Sequence, residues 1–365
     1  MPDPGKLGIK GGRSVFDRPV AKIGLAFLIG IAGAVIARIV AMPLPYLLGP
    51  LLACGAASIM GAPVAVLPYG RELGQAAVGL AIGLRFTPVV LIAIIKLFPL
   101  MLLSTLLMIA ATMIAGLLLS KLANIDRRTA FFATAAAGLA EMAVVAHQKN
   151  SDSDTVAVVH LIRVALIVTT VPFLVTFFGE DGGIQPAHIP LRGEVLPLIG
   201  LFGAGVIAAC LVRRWKLPNI WLLIPAVIGG TASGLGFGPF AVPSVVITIA
   251  QVVIGIWLGC RFRRSLLGRL WRVTTSALVT TVFLLAVATA IAGILSTITG
   301  LSFVTSLLAV APAGVTEMAL TATAMHLDAT AVTAFQITRI AVVMTTILFT
   351  LRVFETFSRR FAAAD

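Results

Sequence analysis

Two carboxylates stand inside apolar sequence, 176 residues apart: Glu141 in AAGLAEMA (136–143) and Glu317 in PAGVTEMA (312–319). An ionised side chain at the centre of a bilayer costs about 2.5–3.5 kcal/mol even on a lenient insertion scale. Each glutamate keeps the same company. A glycine stands three residues before it (Gly138, Gly314), an aspartate eleven after it (Asp152, Asp328), and an arginine eleven further on (Arg163, Arg339). Eleven residues of helix rise about 16 Å, roughly half of a 30 Å hydrocarbon layer. With the aspartate turns at the surface, glutamates and arginines reach the midplane.

Two chemistries suit such groups. They can receive a solute or a coupling ion, or Glu141–Arg163 and Glu317–Arg339 can be buried ion pairs that fix one helix against another. His160 lies three residues before Arg163 on the same helical face and could carry protons. Its counterpart is Gln336, so any such role belongs to one half only. Gln75 and Gln251 recur in glycine-rich segments, as helix-to-helix hydrogen bonds or as solute contacts.

The elements that must position these groups are membrane helices. Of 365 residues, 59% are hydrophobic and 11% charged; a soluble core cannot hide that much apolar surface. Ile23–Ala41, Leu97–Leu119, Val156–Phe178, Val273–Leu295 and Thr330–Leu351 are each long enough to span as helices. They lack the period-2 alternation of a membrane barrel. The net charge of +13 is spread over short loops and chain ends, which fits positive-inside signalling and not a nucleic-acid face. The basic N-terminus before Ile23 has the look of a signal peptide. Its apolar run has a mid-chain counterpart at Val195–Val212, so it reads as a retained span.

The chain is duplicated. Shifted by 176 residues, 137–170 matches 313–346 at 12 of 34 positions, polar residues included. QAAVGLAIGLRF (75–86) falls on QVVIGIWLGCRF (251–262), and LPYLLGP (44–50) falls on LPNIWLLIP (217–225) with a small gap. This gives a basic N-terminus at 1–19, a first membrane repeat at 20–180, a linker at 181–194, a second repeat at 195–355 and a tail at 356–365.

Each half holds six apolar segments, near 23–41, 46–60, 71–84, 97–120, 129–147 and 155–178, then 195–212, 219–236, 244–260, 273–297, 303–325 and 329–352. Loop charge sets their direction. RRWK (213–216) and RFRRSLLGRLWR (261–272) are basic where the first half is nearly neutral. KLANIDRR (121–128) is basic where the second half has STITGLS. Charge alternating between the copies implies opposite orientation, which needs an odd number of crossings per half. The segment interrupted at 135–138 and 311–314 is therefore expected to enter and return. The expected fold is an all-α polytopic membrane protein, two inverted repeats of about five transmembrane helices plus one re-entrant or broken helix each. Both termini would then be cytoplasmic in a bacterial inner membrane. Six plus six parallel segments is the rival arrangement.

Other chemistries find little. Cys54, Cys210 and Cys260 lack paired or metal-type spacing and read as packing residues, and His147, His160, His188 and His326 lack metal-ligand spacing. HExxH, a nucleophile elbow and a P-loop are absent. No cofactor and no catalytic residue is expected. The duplicated half with LPYLLGP, QAAVGLAIGLRF, AAGLAEMA and PAGVTEMA resembles the AbrB-type bacterial membrane proteins, defined by the AbrB duplication domain, over roughly 20–355. The labels attached to that family, ammonia monooxygenase and regulator of gene expression, imply a membrane enzyme or a sensor acting through a partner. The residues themselves point instead to an ion-coupled transporter of a small organic solute. Its site would comprise Glu141, Glu317, Arg163, Arg339, Gly138, Gly314, Gln75, Gln251 and His160, the arginines suggesting an anion. The expected partners are the lipid bilayer and the solute or ion, without nucleic acid; self-association is left open.

Overall fold

The computed structural model describes residues 19–86, 88–178, 192–215, 218–238, 240–262 and 271–362. The expected N-terminal segment 1–18, most of the linker, Lys216 and residues 263–270 lie outside the described residues, and so does the Glu141 side chain. In the first half, helices run at Pro19–Ile39 (α1), Pro45–Ile59 (α2), Gly70–Gly83 (α3), Pro88–Ala123 (α4), Arg127–Thr134 (α5), Leu139–Gln148 (α6) and Ser153–Phe178 (α7). The second half repeats them at Arg192–Val212 (α8), Ile220–Gly234 (α9), Ser244–Gly259 (α10), Trp271–Thr299 (α11), Phe303–Val310 (α12), Val315–Ala324 (α13) and Ala329–Ala362 (α14). Helix α8 thus begins inside the expected linker, and α14 continues through most of the expected tail.

The same residues start and stop helices in both halves. Asp126 accepts a bond from Thr129 N at 2.8 Å and caps α5; Ser302 accepts one from Thr305 N at 3.1 Å and caps α12. Asp152 accepts from Asp154 N and Thr155 N ahead of α7, and Asp328 from Thr330 N and Ala331 N ahead of α14. These two aspartates are helix caps. Left-handed residues follow α4 and α11 (Asn124, Gly300) and α6 and α13 (Asn150, His326) at the 176-residue spacing. Duplication thus holds at the backbone, where local turns are encoded.

Among the described residues, six helices are long and apolar enough to cross a membrane: α1, α4, α7, α8, α11 and α14. The fold is all-helical, and this length and composition are what a polytopic membrane protein requires. Helices α2, α3, α9 and α10, expected as spans, have 15, 14, 15 and 16 residues, short of the ~20 that a perpendicular crossing needs. Large apolar side chains such as Leu28, Leu106, Ile199, Ile207 and Phe349 stand exposed on the outer helices, as a lipid-facing surface allows.

The helices pack as two bundles. One holds α1, α2, α3, α8, α9 and α10; the other holds α4–α7 and α11–α14, and the two meet mainly where α3 and α10 touch α13 and α14. In the first bundle, the halves clasp each other through glycine. A Cβ at Gly79 of α3 would sit 2.2 Å from Leu222 O of α9, and one at Gly255 of α10 would sit 2.5 Å from Leu47 O of α2. Backbone cannot yield as a side-chain tip can. Gly79→Ala and Gly255→Ala should therefore each lose about 1–3 kcal/mol of stability, whereas Gly200→Ala, with nothing within 4 Å, should be neutral. Melting of the purified variants checks this; equal melting of all three would remove the clasp from the account.

Several helix ends gather at one side. Ala65 N donates to Lys22 O at 3.2 Å, Ser58 Oγ donates to Phe262 O, and Arg128 pairs with Glu355 at 2.6 Å. Val273, Ala123, Phe131 and Phe354 share one apolar cluster there. The starts of α1, α5 and α11 thus lie with the ends of α2, α4, α10 and α14. Asp152 N also donates to Thr129 Oγ1 at 3.0 Å, so the α5–α6 segment comes back to the end at which it began.

Candidate functional site

Two interrupted helices build the centre of the molecule. Helices α5 and α12 end at Ala135 (φ −50°, ψ 135°) and Ala311 (φ −51°, ψ 131°). Pro312 forces its predecessor to be extended; the first half reaches the same geometry with alanine. Tight turns follow, from Ala137 N to Ala135 O (2.9 Å) and from Ala313 N to Ala311 O (2.8 Å). Gly138 and Gly314 then open α6 and α13 without a side-chain cap.

Such breaks leave buried carbonyls that need donors, and arginine supplies them. Arg163 Nη1 donates to Thr134 O (2.9 Å) and Ala135 O (3.0 Å), and its Nη2 to Ala137 O (3.4 Å). Arg339 repeats the pattern 176 residues on, reaching Val310 O (3.3 Å), Ala311 O (2.6 Å) and Ala313 O (2.9 Å), with Gln336 Oε1 at 2.5 Å. A cation over the C-terminal carbonyls also meets the negative end of the half-helix dipole. The Glu317–Arg339 ion pair left open by sequence spacing does not form: spacing fixed the height of the arginine, while the unsatisfied carbonyls took its fork.

Glu317 is 4% exposed and sits at the third position of α13. Its Oε2 lies against the Gly314 Cα, where a Cβ would overlap it. The carboxylate therefore sits over the N-terminus of α13, whose positive dipole end offsets its burial. Among the described residues no hydrogen bond or ion pair reaches it. Gln75 of α3 donates from Nε2 to Thr316 Oγ1 at 2.8 Å, tying the first bundle to α13.

A cavity of about 180 Å³ lies between the bundles. From the first bundle it is lined by Arg71, Glu72, Gln75, Asn219 and Trp257, and from the second by Ala137, Gly138, Gly314 and Glu317, among others. Both helix breaks thus face one space. Of the residues expected at the site, Gln75, Gly138, Gly314 and Glu317 line it; Arg163, Arg339, His160 and Gln251 do not. His160 is fully buried, with Nδ1 3.0 Å from Val156 O and Nε2 without a hydrogen-bond partner among the described residues. Its counterpart Gln336 donates to Leu308 O (2.7 Å) and Ala311 O (3.1 Å). Gln251 is buried on α10.

Sequence spacing missed one wall of the cavity. Arg71 and Arg261 place their guanidinium carbons 4.3 and 4.2 Å from the Trp257 ring centroid. Arg261 was legible only as a topology charge, and nothing in sequence joins Arg71 to Trp257, which meet through α3–α10 packing. Among the described residues no group of three His, Cys, Asp or Glu could hold a metal ion, and the three cysteines are free thiols.

This architecture has relatives. A Bacillus subtilis (strain 168) protein named "Uncharacterized protein YhjN" is 28% identical over 345 residues, covering 87% of this chain and 88% of the relative. An Escherichia coli (strain K12) protein named "Putative regulator AbrB" is 25% identical over 334 residues, covering 90% and 95%. The family model described as "Transition state regulatory protein AbrB" matches residues 46–355, a span that takes in both helix breaks and every described wall of the cavity. The chain belongs to the AbrB family.

Proposed function

We propose that the protein is a secondary transporter of the bacterial inner membrane, built from two inverted repeats and carrying a small organic solute with a coupling ion. The observation that supports this most is the cavity between the bundles, lined at once by the breaks of both halves and by Glu317. Interrupted helices from two inverted repeats, meeting near the midplane, are a common way for secondary transporters to form a solute site. A bundle interface is also a surface that can rock, so that the cavity faces each side in turn.

Inversion is supported by the gathering of helix ends. Helices α1, α3 and α5 start at the side where α10 and α14 end, and α4 ends where its counterpart α11 starts. Arg127, Arg128, Arg261 and Arg272 lie at that side, which the positive-inside rule makes cytoplasmic. Ten crossings then follow if the four short helices span with the bundle's shelter, and both termini are cytoplasmic.

Reporter fusions test the topology. Insertions in 121–128, 213–216 and 263–270 should all report cytoplasm, and one after Gly179 should report periplasm. Opposite sides for 121–128 and 213–216 would end the inverted-repeat reading.

The family description and the E. coli relative's name carry a second reading, in which the protein regulates gene expression through a partner. The two readings part on flux. Purified protein in proteoliposomes should accumulate a solute under an ion gradient; ligand binding without flux of that ligand under any gradient would favour a sensor.

A further inference from the structure

We propose that the cavity takes a small monocarboxylate, with its carboxylate on the Arg71 guanidinium and its apolar remainder against the two helix breaks. The proposal rests on the cavity assigned above as the solute site and names the class of solute.

The four arginines around the cavity and the breaks do different work. Arg163 and Arg339 give their terminal nitrogens to helix-break carbonyls, so they cannot also bind an anion without opening the breaks. Arg71 and Arg261 instead lie on the Trp257 ring and line the cavity. A guanidinium held over an aromatic ring can keep N–H donors for other partners, and its fork matches a carboxylate bidentately. Among the described residues no hydrogen bond or ion pair engages Arg71, and its buried Nε has no partner.

The rest of the cavity narrows the class. Glu72 and Glu317 share it, so a second negative charge on the solute would meet repulsion. Leu161, Val164, Val315 and Ile340 offer an apolar wall with no ionic partner for a polar tail. The volume of about 180 Å³ is close to the ~150 Å³ that encloses a single benzene ring. An amine pairing with Glu72 or Glu317 would have to share the cavity with the Arg71 and Arg261 guanidiniums, which repel it.

Calorimetry on the full chain in lipid nanodiscs decides the matter, with benzoate, benzamide, benzylamine and terephthalate as probes of one ring size. Benzoate should bind, with benzamide, benzylamine and terephthalate each weaker by about tenfold or more, the range of a charge-assisted bidentate contact. Arg71→Gln should weaken benzoate by about tenfold or more and leave its residual affinity close to that of benzamide; Arg71→Lys should fall between. Benzamide or benzylamine matching benzoate, or Arg71→Gln leaving benzoate unchanged, would overturn the proposal. So would the absence of binding by benzoate, butyrate and pyruvate up to about 10 mM. If Arg71→Gln does not fold, the benzoate-to-benzamide ratio on the native chain still decides. Benzoate binding without flux would spare this inference and remove the transport reading; flux of an uncharged solute with no carboxylate binding would do the reverse.

Discussion

Arg339→Gln should be among the most damaging single substitutions in this chain. The change strips the donor from Val310 O, Ala313 O and Gln336 Oε1 and one of three donors from Ala311 O, all inside the second bundle. Each buried acceptor left unsatisfied costs about 1–3 kcal/mol, and partial relaxation of the turn brings the expected total to about 3–5 kcal/mol. Lysine cannot replace the fork, so Arg339→Lys should recover only part. If the arginine served Glu317 instead, adding Glu317→Gln to Arg339→Gln would restore stability by removing an unpaired charge. The geometry predicts no such rescue, because Val310 O and Ala313 O still lack the arginine donors in the double variant. Melting temperatures of the two single variants and the double, in one detergent, decide it; recovery in the double would reinstate the ion pair.

Glu317→Gln should behave in the opposite way, with a small loss of stability and a large loss of function. Glutamine keeps the shape over Gly314, so the folding cost is the helix-dipole contribution, about 0.3–1 kcal/mol. What disappears is the carboxylate at the helix break, leaving Glu72 as the other carboxylate of the cavity between the bundles. If that charge takes part in ion coupling, gradient-driven uptake should fall about tenfold or more while solute binding persists. Gly314→Ala provides the steric counterpart, since its methyl would occupy the place of Oε2; it should impair both uptake and stability. Wild-type uptake in Glu317→Gln would reduce Glu317 to a capping group.

The two cases show how much the sequence could say. Duplication was legible because polar residues with no reason to recur by composition recur in register, and their local duties are short-range: Asp126 and Ser302 cap, Asp152 and Asp328 cap, Asn150 and His326 turn. The break at 311–314 was legible through Pro312. The partner of Arg339 was not, since helical spacing gives height along an axis but not the azimuth, and the competing acceptors were backbone atoms that every residue carries. One wall of the cavity was hidden for a further reason. Arg71, Asn219, Trp257 and Arg261 come from three helices of two halves, and their meeting depends on the glycine clasp between α3 and α9 and between α10 and α2. The helices at four of the expected spans have 14–16 residues, a length at which apolar composition alone does not say whether a helix crosses.

The central claim is that the space between the bundles is reached from both sides of the membrane in turn. Ala313 is buried at the second break and lines that space, so a single cysteine there, with Cys54, Cys210 and Cys260 changed to alanine, reports access directly. Labelling by a membrane-impermeant thiol reagent is measured in right-side-out and inside-out vesicles, with and without an imposed ion gradient. The account predicts modification from both sides, with the balance shifting when the gradient is applied. Modification from one side only, unchanged by any gradient, would contradict it.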